Sequence, residues 1–165
     1  MKKLLALFVV VLGFSAASFA QVTATATASA AIVSPIAITK TIDMNFGNVA
    51  VNNLPGTVVL PTSGARTRTG GVTLPAVPGT VATAEFTVTG TPGYAYTFTL
   101  PAGATTVTNG TGGSMTVDTW TSDAGASLVG GTQTVKVGAT LNVAGSQAPG
   151  IYTSATAFSV TVNYN

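Results

Sequence analysis

The side chains able to do chemistry in this sequence are few, and they stand apart. It contains no histidine and no cysteine, so imidazole acid–base catalysis, thiolate nucleophiles and the usual zinc ligand sets are excluded. Beyond residue 20 the acids are Asp43, Glu85, Asp118 and Asp123. Glycosidase chemistry needs two carboxyl groups held at a fixed separation, and four acids placed singly promise no such pair. Asp118 and Asp123 are too sparse for the clustered oxygens of a calcium site. The run Asn109-Gly110-Thr111-Gly112-Gly113 lacks the lysine and the following helix of a phosphate cradle. Its Asn109-Gly110-Thr111 also fits a glycosylation sequon, a pattern that a Thr-rich chain produces by chance. Arg66 and Arg68, two residues apart, fall on one face of an extended segment. They read as a solvated pair that keeps a sheet edge soluble, with a contact to an anionic surface polymer as the sharper alternative. Trp120 is out of phase with Met115 and Val117, which predicts a bulge or strand end near Thr119; an indole exposed to stack on sugars is the alternative. The expectation is a protein that is not an enzyme, with no catalytic, cofactor or metal site.

The elements that would have to position any site are written as alternation. Val135, Val137, Ala139, Leu141 and Val143 alternate with Thr134, Lys136, Gly138, Thr140 and Asn142. Phe158, Val160, Val162 and Tyr164 alternate with Ser159, Thr161 and Asn163, and Tyr94, Tyr96, Phe98 and Leu100 with Ala95, Thr97 and Thr99. Phe86 and Val88 do so with Glu85, Thr87 and Thr89. Period two with one apolar and one hydroxyl-rich face predicts half-buried antiparallel strands. Glu85 and Asp118 then fall on polar faces. Turn signals recur between the runs, among them Pro55-Gly56, Pro78-Gly79, Gly130-Gly131 and Pro149-Gly150. Gly90-Thr91-Pro92-Gly93 reads as a tight hairpin connection. Eight or nine short strands without helical periodicity predict an all-β sandwich. Its core would hold Phe46, Phe86, Phe98, Tyr152 and Phe158, and 158–164 is expected to be a central or well-covered strand.

The first residues read differently. Lys2 and Lys3 precede an apolar run over 4–13, and Ser18 and Ala20 are small residues at the positions a signal peptidase reads. Residues 1–20 are therefore expected to be a signal peptide. The apolar run is too short to span a bilayer, and Gln21 in place of cysteine predicts no lipid anchor. No transmembrane segment is expected after cleavage, and the protein should leave the cytoplasm for the periplasm, the cell surface or the medium of a bacterium. Losing Lys2 and Lys3 removes the formal charge of +2. Lys40, Arg66, Arg68 and Lys136 then balance the four acids, and no basic patch remains for nucleic acid. Eight charges are far below the roughly 25% usual in globular domains. So neutral a surface is weakly protected from association and suits packing against copies of itself.

Residues 22–32 form the longest alternation without a turn signal. Val22, Ala24, Ala26, Ala28, Ala30 and Ile32 share one face, opposite Thr23, Thr25, Thr27 and Ser29. Two uses are open: a first strand of the chain's own sheet, or a strand donated to an edge on another molecule. The expected organisation is an extended N-terminal strand over 21–38, available for donation, followed by a β-sandwich over 39–165.

Two segments carry a family likeness. Ser34-Pro35-Ile36-Ala37-Ile38 with Met44-Asn45-Phe46-Gly47-Asn48-Val49 resembles the opening of spore-coat-U-like and archaic chaperone–usher pilins. Ala148-Pro149-Gly150-Ile151-Tyr152 with the 158–164 run resembles their closing strand. From about 25 to 165 the chain also resembles a bacterial domain-of-unknown-function family, numbered forty-four zero-two, through Asn45-Phe46-Gly47-Asn48, the stretch 130–135 and the ending 160–164. The likeness implies an immunoglobulin-like antiparallel β-sandwich of about 7–9 strands, completed in some members by strand exchange. It also implies an exported, surface-associated subunit handled by a periplasmic chaperone. One departure is that such pilins often carry a disulfide, and this chain has no cysteine. The expected function is a structural subunit of a surface filament or layer, pilus-like and self-associating by strand pairing. The alternative is a monomeric secreted or surface module that binds a glycan or matrix polymer through exposed aromatics.

Overall fold

A computed structural model describes residues 21–165, and the expected signal peptide over 1–20 lies outside them. The chain divides after Ile32. In the first unit, residues 21–32 carry no helix or strand, and their side chains are exposed, Val22 at 93% and Ile32 at 100%. The strand expected over 22–32 is thus absent as a ladder. Alternation specifies a face, but a ladder also needs an edge to pair with.

The second unit, Val33–Asn165, is all β. Among the described residues, nine strands of four residues or more are joined by three two-residue ones. In chain order they are β1 (Ala37–Ile42), β2 (Asn45–Phe46), β3 (Ala50–Leu60), β4 (Thr67–Thr73), β5 (Val81–Ala82) and β6 (Ala84–Thr89), followed by β7 (Tyr96–Thr99), β8 (Thr105–Thr108), β9 (Ser114–Ser122), β10 (Thr132–Val143), β11 (Thr153–Ser154) and β12 (Thr161–Tyr164). The first strand therefore begins inside the stretch expected to be the N-terminal extension.

β10 is the spine of an antiparallel eight-stranded sheet. Its first half pairs β6 and its second half pairs β3 on the same edge, while β9 takes the other edge. The neighbours change at Gly138, where a Cβ would stand 2.5 Å from the Leu60 carbonyl oxygen. Only glycine allows β3 to end there, at Leu60. β1 lies outside β6, β4 outside β3, and β8 and β11 outside β9. A second, much smaller layer consists of the pairs β12–β7 and β2–β5. The fold is the expected all-β sandwich, built from one long sheet and two short covers.

Alternation is obeyed closely along β10. Val135, Val137, Ala139, Leu141 and Val143 are all buried. At about 25 cal/mol per Å² of apolar surface, such a row is the main stabilising term of a chain without disulfides. The opposite face carries a cross-strand row of polar side chains, Thr69, Thr57, Asn142, Thr116 and Thr106, running from β4 to β8. The Thr57 and Thr69 hydroxyls hydrogen-bond at 2.7 Å.

Two expectations about connection fail. Gly90-Thr91-Pro92-Gly93 is no hairpin: β6 pairs β1 and β10, and β7 pairs β12, so the segment crosses between layers. The run 158–164 is no central strand either. Only Thr161–Tyr164 pairs, and only with β7. Its register sets Thr161 opposite Thr99, so Ser159 would meet Pro101. Proline has no N–H for a ladder, and the pairing stops short of it. Upstream of the pairing, Gly90 carries the chain past the Tyr164 hydroxyl. That hydroxyl accepts the Thr91 N–H at 2.6 Å and donates to the Ser34 carbonyl at 2.9 Å, fixing the point where the chain enters β1.

Candidate functional site: an open apolar groove

The short second layer leaves part of the long sheet uncovered. β12 and β7 cover Val88, Leu128 and Val135, with Tyr96 from β7 buried among them. Farther along, the inward face of Ala84, Phe86, Val117, Leu141 and Val143 forms the floor of a groove of about 1130 Å³. Residues 38–51 flank it on one side and 147–160 on the other. Met44, Phe46 and Met115 stay only partly buried along it.

The second flank follows from the broken ladder. Residues 155–160 lie in no strand, yet Phe158 and Val160 still pack on Ala84, Phe86 and Val137. Their backbone runs beside an apolar floor, with no ladder partner among the described residues. Trp120 arrives through the expected bulge: Thr119 has a φ of 52° and the β9–β10 register shifts between Gly138 and Thr140. The extra residue turns the indole inward. It lies on Phe158 with ring centroids 4.5 Å apart, and its N–H donates to the Gly103 carbonyl at 3.0 Å. Phe86 meets Phe158 and Phe98 edge-on, at 6.4 and 6.3 Å.

Polar residues hold the flanks in place. Asn45 accepts the Gly47 N–H at 2.8 Å, and Asn48 donates its backbone N–H to the Pro78 carbonyl at 2.6 Å. Gly47 has a φ of +65°, and a Cβ there would stand 2.3 Å from the Pro78 oxygen. The Asn-Phe-Gly-Asn motif is thus a turn that glycine alone permits. Arg66 donates to the Phe46 carbonyl and, at 3.0 Å, to that of Asn48. Arg68 donates to the Val72 carbonyl at 2.8 Å. The arginines are therefore not free side chains: backbone carbonyls at the turn and in β4 accept from them, as a spacing of two could not reveal. On the opposite flank the Tyr152 hydroxyl accepts from Gln147 at 2.8 Å and donates to the Ala148 carbonyl at 2.7 Å. It is half-buried and fixed by its polar end, where a core position was expected. Asn109 closes the glycine-rich loop by accepting the Thr111 and Gly113 N–H groups at 3.0 and 2.9 Å.

Each acid has a structural partner. Asp43 pairs with Lys40 at 2.7 Å and Glu85 with Lys136 at 3.6 Å, both at exposed or half-exposed positions where such pairs contribute little. Asp118 accepts from Asn142 at 2.9 Å, and Asp123 from the Lys136 N–H at 2.6 Å. Burial, with the charge of Asp123 nearby, pushes the Tyr96 hydroxyl above its ordinary 10.0; it donates to Gln133 at 2.6 Å. Among the described residues no three metal-ligating side chains gather, and no helix is long and apolar enough to cross a membrane. The proposed exchange residues Val22, Ala24, Ala26, Ala28, Ala30 and Ile32 are all exposed.

Fold and groove together define an all-β sandwich whose second layer is incomplete. Residues 36–164 match the family described as Domain of unknown function (DUF4402), and the chain belongs to that family. No curated protein and no solved structure matches the chain.

Proposed function

We propose that the protein is an exported, non-enzymatic structural subunit of a bacterial surface filament or layer. Residues 22–32 of one subunit pair as a strand in the groove of the next. The groove carries this reading: it has an apolar floor, it is flanked by a stretch over 155–160 that lacks a ladder, and the same chain holds an alternating segment without a ladder of its own. Strand addition satisfies both at once, because backbone bonds supply affinity and alternate side chains cover the floor. A neutral surface with few charges suits close packing of identical subunits. A periplasmic chaperone would guard the same groove before assembly, since an exposed apolar edge invites aggregation.

The test uses the exported chain, whose mass should show a start near Gln21. Unheated gels and size-exclusion chromatography should show a ladder of multimers. Deleting 22–32 should abolish the ladder, and a synthetic peptide of those residues should raise the melting temperature of the truncated protein. A sharp monomer peak at every concentration would defeat strand donation and leave the secreted glycan- or matrix-binding module as the better account.

A further inference from the structure

Between Val22 and Ile32, every residue on the apolar face is alanine: Ala24, Ala26, Ala28 and Ala30. The groove reverses that distribution. Trp120 and Phe158 stand against each other at 4.5 Å, Phe86 closes on Phe158 at 6.4 Å, and all three line the cavity. A strand laid on a sheet ordinarily contributes branched or aromatic side chains of its own. Here the acceptor already supplies the bulk.

We propose that the groove selects its strand by side-chain size. The Trp120–Phe158 pair admits alanine at the central inward positions of the incoming strand and excludes larger side chains there, while Val22 and Ile32 lie at the ends of the segment. This rests on the strand-pairing reading above. The aromatic rings are held by packing on Phe86 and by the indole hydrogen bond to Gly103, so they yield poorly to an added branch. Interiors packed to native density resist inserted methylenes. Size exclusion would also reject the chain's other alternating segments, whose apolar faces carry valine, leucine and aromatics. A subunit rich in β-strands would thereby be protected against pairing with the wrong one.

The experiment substitutes single residues in the exported chain and reads multimers on unheated gels. Ala28→Leu should lower multimer yield by about tenfold or more at a fixed concentration, whereas Thr27→Leu, on the opposite face, should leave it unchanged. Mixed with wild-type protein, Ala28→Leu subunits should still accept a strand but not donate one, and so shorten the ladder. Adding Phe158→Leu, which trims the wall without emptying it, should restore assembly of Ala28→Leu. If wild-type protein forms a ladder and Ala28→Leu forms the same ladder, size selection is overturned while strand pairing stands. Equal loss from Thr27→Leu and Ala28→Leu also overturns it. Absence of a wild-type ladder overturns both.

Discussion

Trp120 and Phe158 lie with ring centroids 4.5 Å apart and planes inclined by 39°, one carried on a bulged strand and the other on a stretch outside any strand. Trp120 is the only tryptophan, so its emission reports the groove alone. Multimers should emit at shorter wavelength than dissociated subunits and resist acrylamide quenching, because a strand over the floor removes water from the indole. Phe158→Ala should shift emission to the red and cost about 2 kcal/mol in urea unfolding, below the range for a fully buried phenylalanine. Equal quenching of the two forms would show that the groove stays open in the assembly.

The facing of β10 makes a second prediction. Val137 is completely buried, whereas Thr134 is exposed. Val137→Asp should cost on the order of 4 kcal/mol or more, most of a small domain's stability. Thr134→Asp should stay within about 0.5 kcal/mol of wild type. Similar urea midpoints for the two variants would mean the strand faces the other way.

That contrast marks what the sequence could disclose. Alternation from Thr134 to Val143 reports which side of a strand is apolar, and burial follows it except at Gly138, which is buried against Leu60 and Pro61. The out-of-phase Trp120 reports its bulge for the same reason. Alternation is silent about partners. It continues unbroken from Phe158 to Tyr164, yet the ladder ends at Thr161 because of Pro101, far away in sequence. The Gly90–Gly93 turn residues likewise permit a hairpin without requiring one. The groove exists through such absences of pairing, so only its ingredients were legible. The arginine contacts at Phe46 and Asn48 were hidden because backbone acceptors have no sequence signature.

Gly47 and Gly64 separate close approach from backbone conformation. Both have positive φ, +65° and +82°, but a Cβ at Gly64 would meet nothing within 4 Å. Gly64→Ala should cost about 1 kcal/mol from the left-handed conformation alone. Gly47→Ala adds the clash with Pro78 and should cost about 3 kcal/mol. Chemical denaturation of the two variants decides this, and equal losses would refute the close approach.

Alkaline pH should weaken the fold through Tyr96. Its folded-state pKa is raised above 10.0 by burial and then by Asp123, so the unfolded chain loses that proton first. Between the unfolded and folded values the native state binds more protons, and stability falls as pH rises. The contribution is fully present below about pH 10. Urea midpoints should therefore decline above that pH, with a shallower decline in Tyr96→Phe, whose whole curve lies lower for want of the bond to Gln133. An identical slope in the variant would assign the alkaline transition elsewhere.

The Tyr164 hydroxyl that spans Thr91 and Ser34 has a mechanical consequence. If residues 22–32 are gripped by a neighbouring subunit, tension along a fibre enters each sandwich at Ser34. It first loads the 2.9 Å bond to Tyr164, a residue of β12, and then β1. A pull along the axis of β1 shears its ladder to β6, so that the pairs from Ala37–Thr89 to Ile42–Glu85 bear load together instead of parting one by one. Forced unfolding is governed by the unfolding rate, and the tyrosine spreads the first load over both layers. Tyr164→Phe subunits should therefore give fibres that rupture at lower force while melting at nearly the same temperature.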